Sequence, residues 1–294
     1  MSLDRRQFIK LAGLGLGGVF LSSSDVEAAE GLRKQDEFAL LYDTSKCIGC
    51  RACQNACREW NETVPETDAS GLYDSPSDLS ANTWTLIKLA KPESDWPFIN
   101  YQCMHCTDAA CVNVCPTGAL YHDAQGFVSV DQDKCNGCGY CTQFCPFGVP
   151  HLGDVDVVTG EAKAAKCTFC QDRIREGIGG PFCAEQCPTE ALVWGDRNAL
   201  LDQARARVED LKSQGFDGAM LYGENEAGGL HRLSILLDSP SVYNLPSDPR
   251  GPIAFSDVWQ RVIQPLGGIA VGATGLGLIV NWLVARTQIK AEEA

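Results

Sequence analysis

The sequence predicts an α+β fold with one membrane-spanning helix near its C-terminal end, and three observations support this. All sixteen cysteines fall into four groups of four with related spacings, which indicates an internal repeat. Short strand-like and helix-like segments alternate with these groups. Residues 265–285, "PLGGIAVGATGLGLIVNWLVA", form a run of 21 residues without a charged side chain, long enough to cross a bilayer.

Length and charge limit the classes of function. A chain of 294 residues can bury one sizeable core or two modest ones. The net charge of −14 and the pI of about 4.7 argue against a nucleic-acid interface, which requires a basic face. We therefore expect no nucleic-acid partner.

Residues 1–29 are predicted to be an export segment. Arg5 and Arg6 precede a glycine-rich apolar stretch, 11–21, and cleavage is expected near Ala28. Eleven apolar residues are too few to span a bilayer. The paired arginines resemble a twin-arginine signal, which implies export of a protein already folded around its cofactor; an ordinary secretory signal is the alternative.

The four cysteine groups share a compact pattern. The first and third have the spacing C-x2-C-x2-C-x3-C, the second C-x2-C-x4-C-x3-C and the fourth C-x2-C-x12-C-x3-C. Proline follows the last cysteine in three groups, whereas Arg58 follows it in the first. The groups are Cys47, Cys50, Cys53 and Cys57; Cys103, Cys106, Cys111 and Cys115; Cys135, Cys138, Cys141 and Cys145; and Cys167, Cys170, Cys183 and Cys187.

This pattern favours four [4Fe–4S] clusters over the alternatives, which are zinc sites and disulfides. Zinc is often held by two separated C-x2-C pairs. The tight run instead places three thiolates around one cuboidal cluster and sends its fourth cysteine to a partner cluster, as in bacterial ferredoxins. Four such runs use all sixteen thiols as iron ligands.

The exchange of the fourth cysteine predicts which groups pair. Nineteen residues separate groups two and three, so these groups are expected to share two clusters, and groups one and four pair by elimination. The alternative is that each group binds its own cluster. The predicted ligands are Cys47, Cys50, Cys53 and Cys187 for cluster 1; Cys57, Cys167, Cys170 and Cys183 for cluster 2; Cys103, Cys106, Cys111 and Cys145 for cluster 3; and Cys115, Cys135, Cys138 and Cys141 for cluster 4.

The remaining sequence fits around these groups. Residues 30–194 are predicted to form the four-cluster domain, as two ferredoxin-like modules with an insertion at 58–102, in which a polar, turn-rich stretch leads into the strand-like "TLIKLA". Two short strands are expected around a Gln125–Gly126 turn. Residues 195–250 are predicted to form a cap and linker, with an amphipathic helix at 197–214 and strands in "GAMLYGE" and "HRLSILLD". The helix is expected to bury Leu201, Ala204, Val208 and Leu211.

Residues 251–294 are predicted to be a C-terminal transmembrane anchor. The 21 uncharged residues would span ~31 Å, close to the ~30 Å of a bilayer core. With an exported N-terminal part, the C-terminus would be cytoplasmic, in agreement with Arg286 and Lys290 beyond the run. Gly268 and Gly272 lie four residues apart, which favours close packing against a second membrane subunit.

No catalytic constellation is predicted. The four histidines, His105, His122, His151 and His231, have no metal-ligand spacing and form no acid–base pair with a carboxylate. For His105, within "CMHC", we expect a structural or hydrogen-bonding role near a cluster.

Several segments resemble one family. "CIGCRACQNACREWN", "GLYDSPSDLSANTW", "QCMHCTDAACVNVCP", "NGCGYCTQFCPF" and "ARVEDLKSQGF" are similar to the iron–sulfur (beta) subunit of respiratory, membrane-bound formate dehydrogenase. The resemblance implies a non-catalytic subunit whose four clusters pass electrons from a molybdopterin-containing, formate-oxidising alpha subunit to a membrane cytochrome b (gamma) subunit and quinone. It also implies the bacterial inner membrane, with the clusters on the periplasmic side. The chain departs from well-known members by having its own export segment.

Three alternatives remain. The electron-transfer subunit of a periplasmic uptake hydrogenase has the same cluster runs and membrane helix. The corresponding subunit of a polysulfide or tetrathionate-type reductase is a second alternative, and a disulfide-stapled exported structural protein is a third. The segments "GLYDSPSDLSANTW" and "CREWN" favour the formate type.

Overall fold

The computed structural model describes residues 37–66, 76–90, 97–155, 162–249 and 263–292. The predicted export segment, 1–29, lies outside the described residues, as do residues 67–75 and 91–96 of the insertion and 250–262 before the terminal helix.

A four-stranded sheet joins segments from both ends of the cysteine-rich region. Its strands, in spatial order, are β8 (Leu192–Asp196), β1 (Phe38–Asp43), β10 (Arg232–Leu236) and β9 (Met220–Tyr222). Strand β1 is antiparallel to β8 and parallel to β10, and β10 is antiparallel to β9. The predicted strands in "GAMLYGE" and "HRLSILLD" are confirmed as β9 and β10.

The two faces of this sheet have different partners, because successive side chains of a strand point to opposite faces. Ala39 and Leu41 pack in one apolar core with a helix, α6 (Arg197–Ser213). Leu40 and Tyr42 pack in a second core that contains Cys53 and Cys183. The sheet therefore lies between the α6 helix and the cysteine-rich region.

Helix α6 confirms the predicted amphipathic helix. Its N-cap is Asp196, whose carboxylate accepts a hydrogen bond from the backbone N–H of Ala199 at 2.8 Å. The expected apolar face is buried, and it consists of Leu201, Ala204, Val208 and Leu211, joined by Leu200.

Short elements carry the cysteine groups. The helices are α1 (Ala52–Asn61), α2 (Ala110–Asn113), α3 (Tyr140–Phe144), α4 (Gln171–Arg175) and α5 (Phe182–Glu185). The strands form three antiparallel pairs: β2 (Thr85–Leu89) with β3 (Phe98–Gln102), β4 (Leu120–His122) with β5 (Val128–Val130), and β6 (His151–Leu152) with β7 (Ala164–Ala165). Strand β2 confirms the strand predicted in "TLIKLA", and β4 and β5 confirm the two strands expected around Gln125–Gly126.

Helix packing follows the predicted pairing of the groups. Helix α1, from group one, packs against α5, from group four. Helix α2, from group two, packs against α3, from group three. Each pair of helices brings two cysteine groups together.

The C-terminal helix, α7 (Gln264–Glu292), contains the uncharged run 265–285 of the predicted anchor. Residues Pro265–Arg286 have a mean hydropathy of 1.8, and none of the described side chains in this stretch is buried. By length and composition, this helix can cross a membrane.

Candidate cluster-binding site

All sixteen cysteines lie within the described residues, and all are free thiols. In each group the third cysteine lies on a short helix, and the fourth lies on that helix or shortly after its end. This geometry turns the last cysteine away from the loop that carries the first two.

The predicted ligands of cluster 1 surround one cavity. This small cavity is lined by Cys47, Cys50 and Cys53 from group one and by Cys187 from group four. Burial and repulsion from the three neighbouring thiols raise the pKa of Cys53 to about 12. Protons on such crowded thiols are displaced when a cationic centre binds them.

The predicted ligands of cluster 4 surround a second cavity. This one is lined by Cys115 from group two and by Cys135, Cys138 and Cys141 from group three. Burial and repulsion from the other three thiols raise the pKa of Cys141 to about 11. The backbone N–H of Ala164 donates to the Cys135 sulfur at 3.3 Å.

The predicted ligands of clusters 2 and 3 are also grouped, in a more buried setting. Burial, followed by repulsion from the thiols of Cys103, Cys111 and Cys145, raises the pKa of Cys106 well above its ordinary value. For Cys183, burial again has the largest effect on the pKa, and the neighbouring thiols that raise it further include Cys170, Cys167 and Cys57.

Cysteines from different predicted clusters share apolar cores and lie close enough for their thiols to repel one another, which supports an arrangement of the four sets in a row. One pair of neighbouring thiols links clusters 1 and 2, one links clusters 2 and 3, and one links clusters 3 and 4. The pairs are Cys53 with Cys183, Cys167 with Cys103, and Cys111 with Cys141.

The two ends of the row are at the surface. Cys50 of the cluster 1 set and Cys138 of the cluster 4 set are exposed, whereas the other fourteen cysteines are buried or half-buried. Exposed apolar side chains lie beside both: Ile48 is 62% exposed and Tyr140 is 49% exposed. The row therefore has two accessible ends and a protected middle.

One backbone position recurs in every group. The residue directly before the second cysteine is left-handed, with φ of 69° at Gly49, 47° at His105, 70° at Gly137 and 63° at Phe169. Glycine tolerates this conformation, but histidine and phenylalanine are strained in it. The two strained residues belong to the inner clusters, 3 and 2, and their rings pack edge to face with centroids 5.2 Å apart. The strain is thus retained where an aromatic contact fills the interior of the row.

His105 has the hydrogen-bonding role that the sequence suggested. Its ring is fully buried, and Nδ1 lies 3.0 Å from the carbonyl oxygen of Val128, so this nitrogen donates. The ring also packs against Phe127, which stacks on Phe169.

Sequence reasoning missed three buried polar side chains near the row. The Lys166 ammonium donates to the carbonyls of Val128 and Cys167, at 2.6 and 2.8 Å. Asn100 donates from its side-chain amide to the Cys53 sulfur at 3.6 Å, and Arg232 donates to Asn100. Lys166 directly precedes Cys167 in the chain, but no spacing rule identifies Asn100 and Arg232, because they approach Cys53 from distant strands.

The sulfur arrangement fits clusters better than zinc or disulfides. No disulfide joins any of the sixteen cysteines. Within the described ranges, no three His, Cys, Asp or Glu side chains are close enough together to hold a single metal ion. Zinc would draw four sulfurs to ~2.3 Å from one centre. Each of the two cavities is instead lined by three cysteines of one group and one of another, which is the ligand set of a cuboidal cluster in bacterial ferredoxins.

Comparison with known families identifies two matching regions. Residues 94–197 match one family described as a 4Fe-4S dicluster domain, and residues 46–120 match another with the same description. These regions together contain every predicted ligand, so the chain has two domains of the 4Fe-4S dicluster type.

Similar proteins extend the match beyond these domains. The chain is 37% identical to the formate dehydrogenase iron-sulfur subunit of Haemophilus influenzae, over 87% of this chain and 83% of that protein. It is 38% identical to the iron-sulfur subunit of the nitrate-inducible formate dehydrogenase of Escherichia coli K12, over 84% and 85%. It is 31% identical to the hydrogenase-2 operon protein HybA of Escherichia coli O157:H7, over 95% of both chains.

These matches agree with the fold and with the arrangement of the thiols. Two relatives named as formate dehydrogenase iron–sulfur subunits align with more than four fifths of the chain. The chain belongs to the family of formate dehydrogenase iron–sulfur subunits, whose members are electron-transfer rather than catalytic subunits of an oxidoreductase complex.

Proposed function

We propose that this chain holds four [4Fe–4S] clusters and passes electrons from a molybdopterin-containing, formate-oxidising alpha subunit to a membrane cytochrome b and the quinone pool. Family membership supports formate as the electron source. The observation that carries the electron-transfer assignment is the row of four thiol sets with an exposed ligand at each end.

The row supports a relay in the order cluster 1, cluster 2, cluster 3, cluster 4. Electron transfer slows steeply with distance, so each step must join neighbouring clusters. Shared apolar cores connect each successive pair of sets. A [4Fe–4S] cluster, when bound, takes up and releases an electron at a potential set by its charge, hydrogen bonds and exposure.

The protein residues contribute binding, insulation and two contact points. The swapped ligand assignment is supported by the two cavities, each lined by three cysteines of one group and one of another. Buried aromatic side chains, Phe127 and Phe169, keep water from the middle of the row. Exposed Cys50 and Cys138, with Ile48 and Tyr140 beside them, suit apolar contact with the electron donor at one end and the acceptor at the other.

We further propose that α7 anchors the chain in the bacterial inner membrane, next to the cytochrome b subunit. The span Pro265–Arg286 has the length and apolar composition for this role. The predicted export segment, 1–29, together with Arg286 and Lys290, supports a periplasmic cluster domain and a cytoplasmic C-terminus.

A second candidate is the same relay in an uptake hydrogenase. The alignment with the hydrogenase-2 operon protein covers 95% of this chain, compared with 84% and 87% for the two formate dehydrogenase subunits, although its identity is lower. In this candidate hydrogen replaces formate as the electron source, and the roles of the cysteines are unchanged.

Purification of the intact membrane complex through this chain separates the candidates. We expect a molybdopterin-containing partner, reduction of the clusters by formate, and formate-dependent reduction of a quinone analogue. Membranes from a strain that lacks the chain serve as the control and should lose electron flow to quinone. A nickel–iron partner and reduction by hydrogen alone would favour the second candidate. Formate oxidation by the isolated chain would refute the electron-transfer assignment.

A further inference from the structure

Two buried polar side chains lie beside the row without belonging to any ligand set. Asn100, on β3, is 1% exposed, and Arg232, on β10, is fully buried. Buried polar and charged groups are costly unless they are paired, so both residues require a physical explanation.

The hydrogen bonds of Asn100 fix the orientation of its side-chain amide. The oxygen Oδ1 accepts from Nη2 of Arg232 at 3.0 Å, and the same Nη2 donates to the Asn100 backbone carbonyl at 2.9 Å. A guanidinium only donates hydrogen bonds, so the oxygen of the amide must face Arg232. The opposite side, Nδ2, then directs its N–H towards the sulfur of Cys53, at 3.6 Å.

The charge of Arg232 has no carboxylate partner among the described residues. Its other contacts are the Ser234 hydroxyl, which accepts from Nη1, and the ring of Tyr42, whose centroid lies 5.0 Å from the guanidinium carbon. Burial lowers the pKa of Arg232 to about 10, and the thiols of Cys183, Cys53 and Cys167 oppose this shift. The side chain is therefore a cation at neutral pH that faces the sulfurs of clusters 1 and 2.

We propose that Arg232 and Asn100 raise the reduction potential of cluster 1. Arg232 holds the Asn100 amide so that its N–H donates to the Cys53 sulfur, and the positive charge of Arg232 adds to this effect. Reduction adds negative charge to a cluster, so hydrogen bonds to its sulfurs and nearby cations stabilise the reduced form. This inference rests on the proposed function, in which Cys53 binds a cluster.

The test is potentiometric titration of the purified full complex, with EPR detection of each cluster. The signal of cluster 1 is first assigned as the one altered by Cys50→Ser. Asn100→Leu removes the N–H donor and keeps the number and branching of the side-chain heavy atoms, and we expect the potential of cluster 1 alone to become more negative. Arg232→Lys keeps the positive charge but loses the hydrogen bonds from Nη2 to the backbone carbonyl and to Oδ1 of Asn100. We therefore expect the potential of cluster 1 to shift in the same direction by a smaller amount. Ser234→Ala removes the other hydrogen bond of the guanidinium and is the matched control, with no shift expected.

Two results would overturn the inference. The first is an unchanged potential for cluster 1 in Asn100→Leu with all clusters present. The second is an equal shift of all four clusters, which would indicate a general loosening of the protein. Absence of the four cluster signals from the wild-type complex would instead refute the proposed function, so the two failures are distinguishable.

A measurement on the wild-type complex covers the case in which these variants do not fold. Labelling asparagine side chains with ¹⁵N and recording pulsed EPR of reduced cluster 1 should reveal hyperfine coupling to one amide nitrogen. Absence of that coupling would contradict an N–H···S bond from Asn100.

Discussion

The exchange of cysteines between groups can be tested with two double variants. Cys103→Ala/Cys145→Ala removes two predicted ligands of cluster 3. Cys141→Ala/Cys145→Ala removes one ligand of cluster 4 and one of cluster 3. If each group instead bound its own cluster, Cys141→Ala/Cys145→Ala would remove two ligands of one cluster, because both residues belong to group three. Cys103→Ala/Cys145→Ala would then damage two clusters, because its two residues belong to different groups.

The arrangement of the ligands gives the iron content expected for each variant. Cys145 packs with Cys103 in an apolar core around Val149, whereas Cys141 packs with Cys135 in another. The wild-type protein should contain about 16 irons, as four clusters of four. A cluster without two ligands should be lost, which leaves about 12 irons in Cys103→Ala/Cys145→Ala. The other variant damages two clusters and should retain about 14 irons if both become three-iron clusters, or about 8 if both are lost.

Iron and sulfide analysis of anaerobically purified complex, with EPR of the oxidised protein, distinguishes these cases. Val149→Ala opens the same apolar core without removing a ligand and controls for folding. Two damaged clusters in Cys103→Ala/Cys145→Ala, together with only one in Cys141→Ala/Cys145→Ala, would refute the exchange.

Three further predictions concern stability, each measured by thermal unfolding of the anaerobic protein. Burial lowers the pKa of His231 from 6.5 to about 4. Between pH 6.5 and about 4 the unfolded chain binds a proton that the folded chain does not. The free energy of unfolding should therefore fall by roughly 3 kcal/mol as the pH drops through this window. His231→Gln should make the free energy of unfolding less dependent on pH in the same window. Phe169→Gly should be more stable than Phe169→Ala by about 1 kcal/mol, because both variants lose the ring but only glycine tolerates the left-handed backbone at this position. Equal stabilities of the two variants would mean that the backbone strain is negligible. Ala204→Leu, at a fully buried position of α6, should lower the free energy of unfolding by about 1–3 kcal/mol. Ala206→Leu, on the exposed face of the same helix, should be nearly neutral. Similar losses of stability in the two variants would mean that a different face of α6 is packed.

The locally encoded parts of the fold were predictable. The helix at α6 follows from apolar residues at helical spacing with Asp196 as its cap, and the β4–β5 hairpin follows from short apolar runs around a glycine turn. The grouping of the cysteines was also predictable, because in three groups the spacing lets one short loop place three thiolates around one centre, and the fourth group repeats the C-x2-C and C-x3-C spacings.

Long-range pairings were not predictable from the same patterns. Strand β1 lies between β8 and β10, which are about 150 and 190 residues away along the chain. The alternation of apolar and polar residues in a strand shows which face is buried, but it does not show which distant strand will pair with it. Asn100 and Arg232 reach the Cys53 sulfur only because β3 and β10 are brought to the same core.

The sequence by itself determined that sixteen thiols form four repeated groups and that one long apolar segment follows them, since both features depend only on spacing and composition. The tertiary structure decided the order of the four sets, the exposure of the two ends, the strained rings in the middle and the buried cation beside the first set. These features depend on which distant segments meet in the core, and contacts between distant segments leave no local period in the chain.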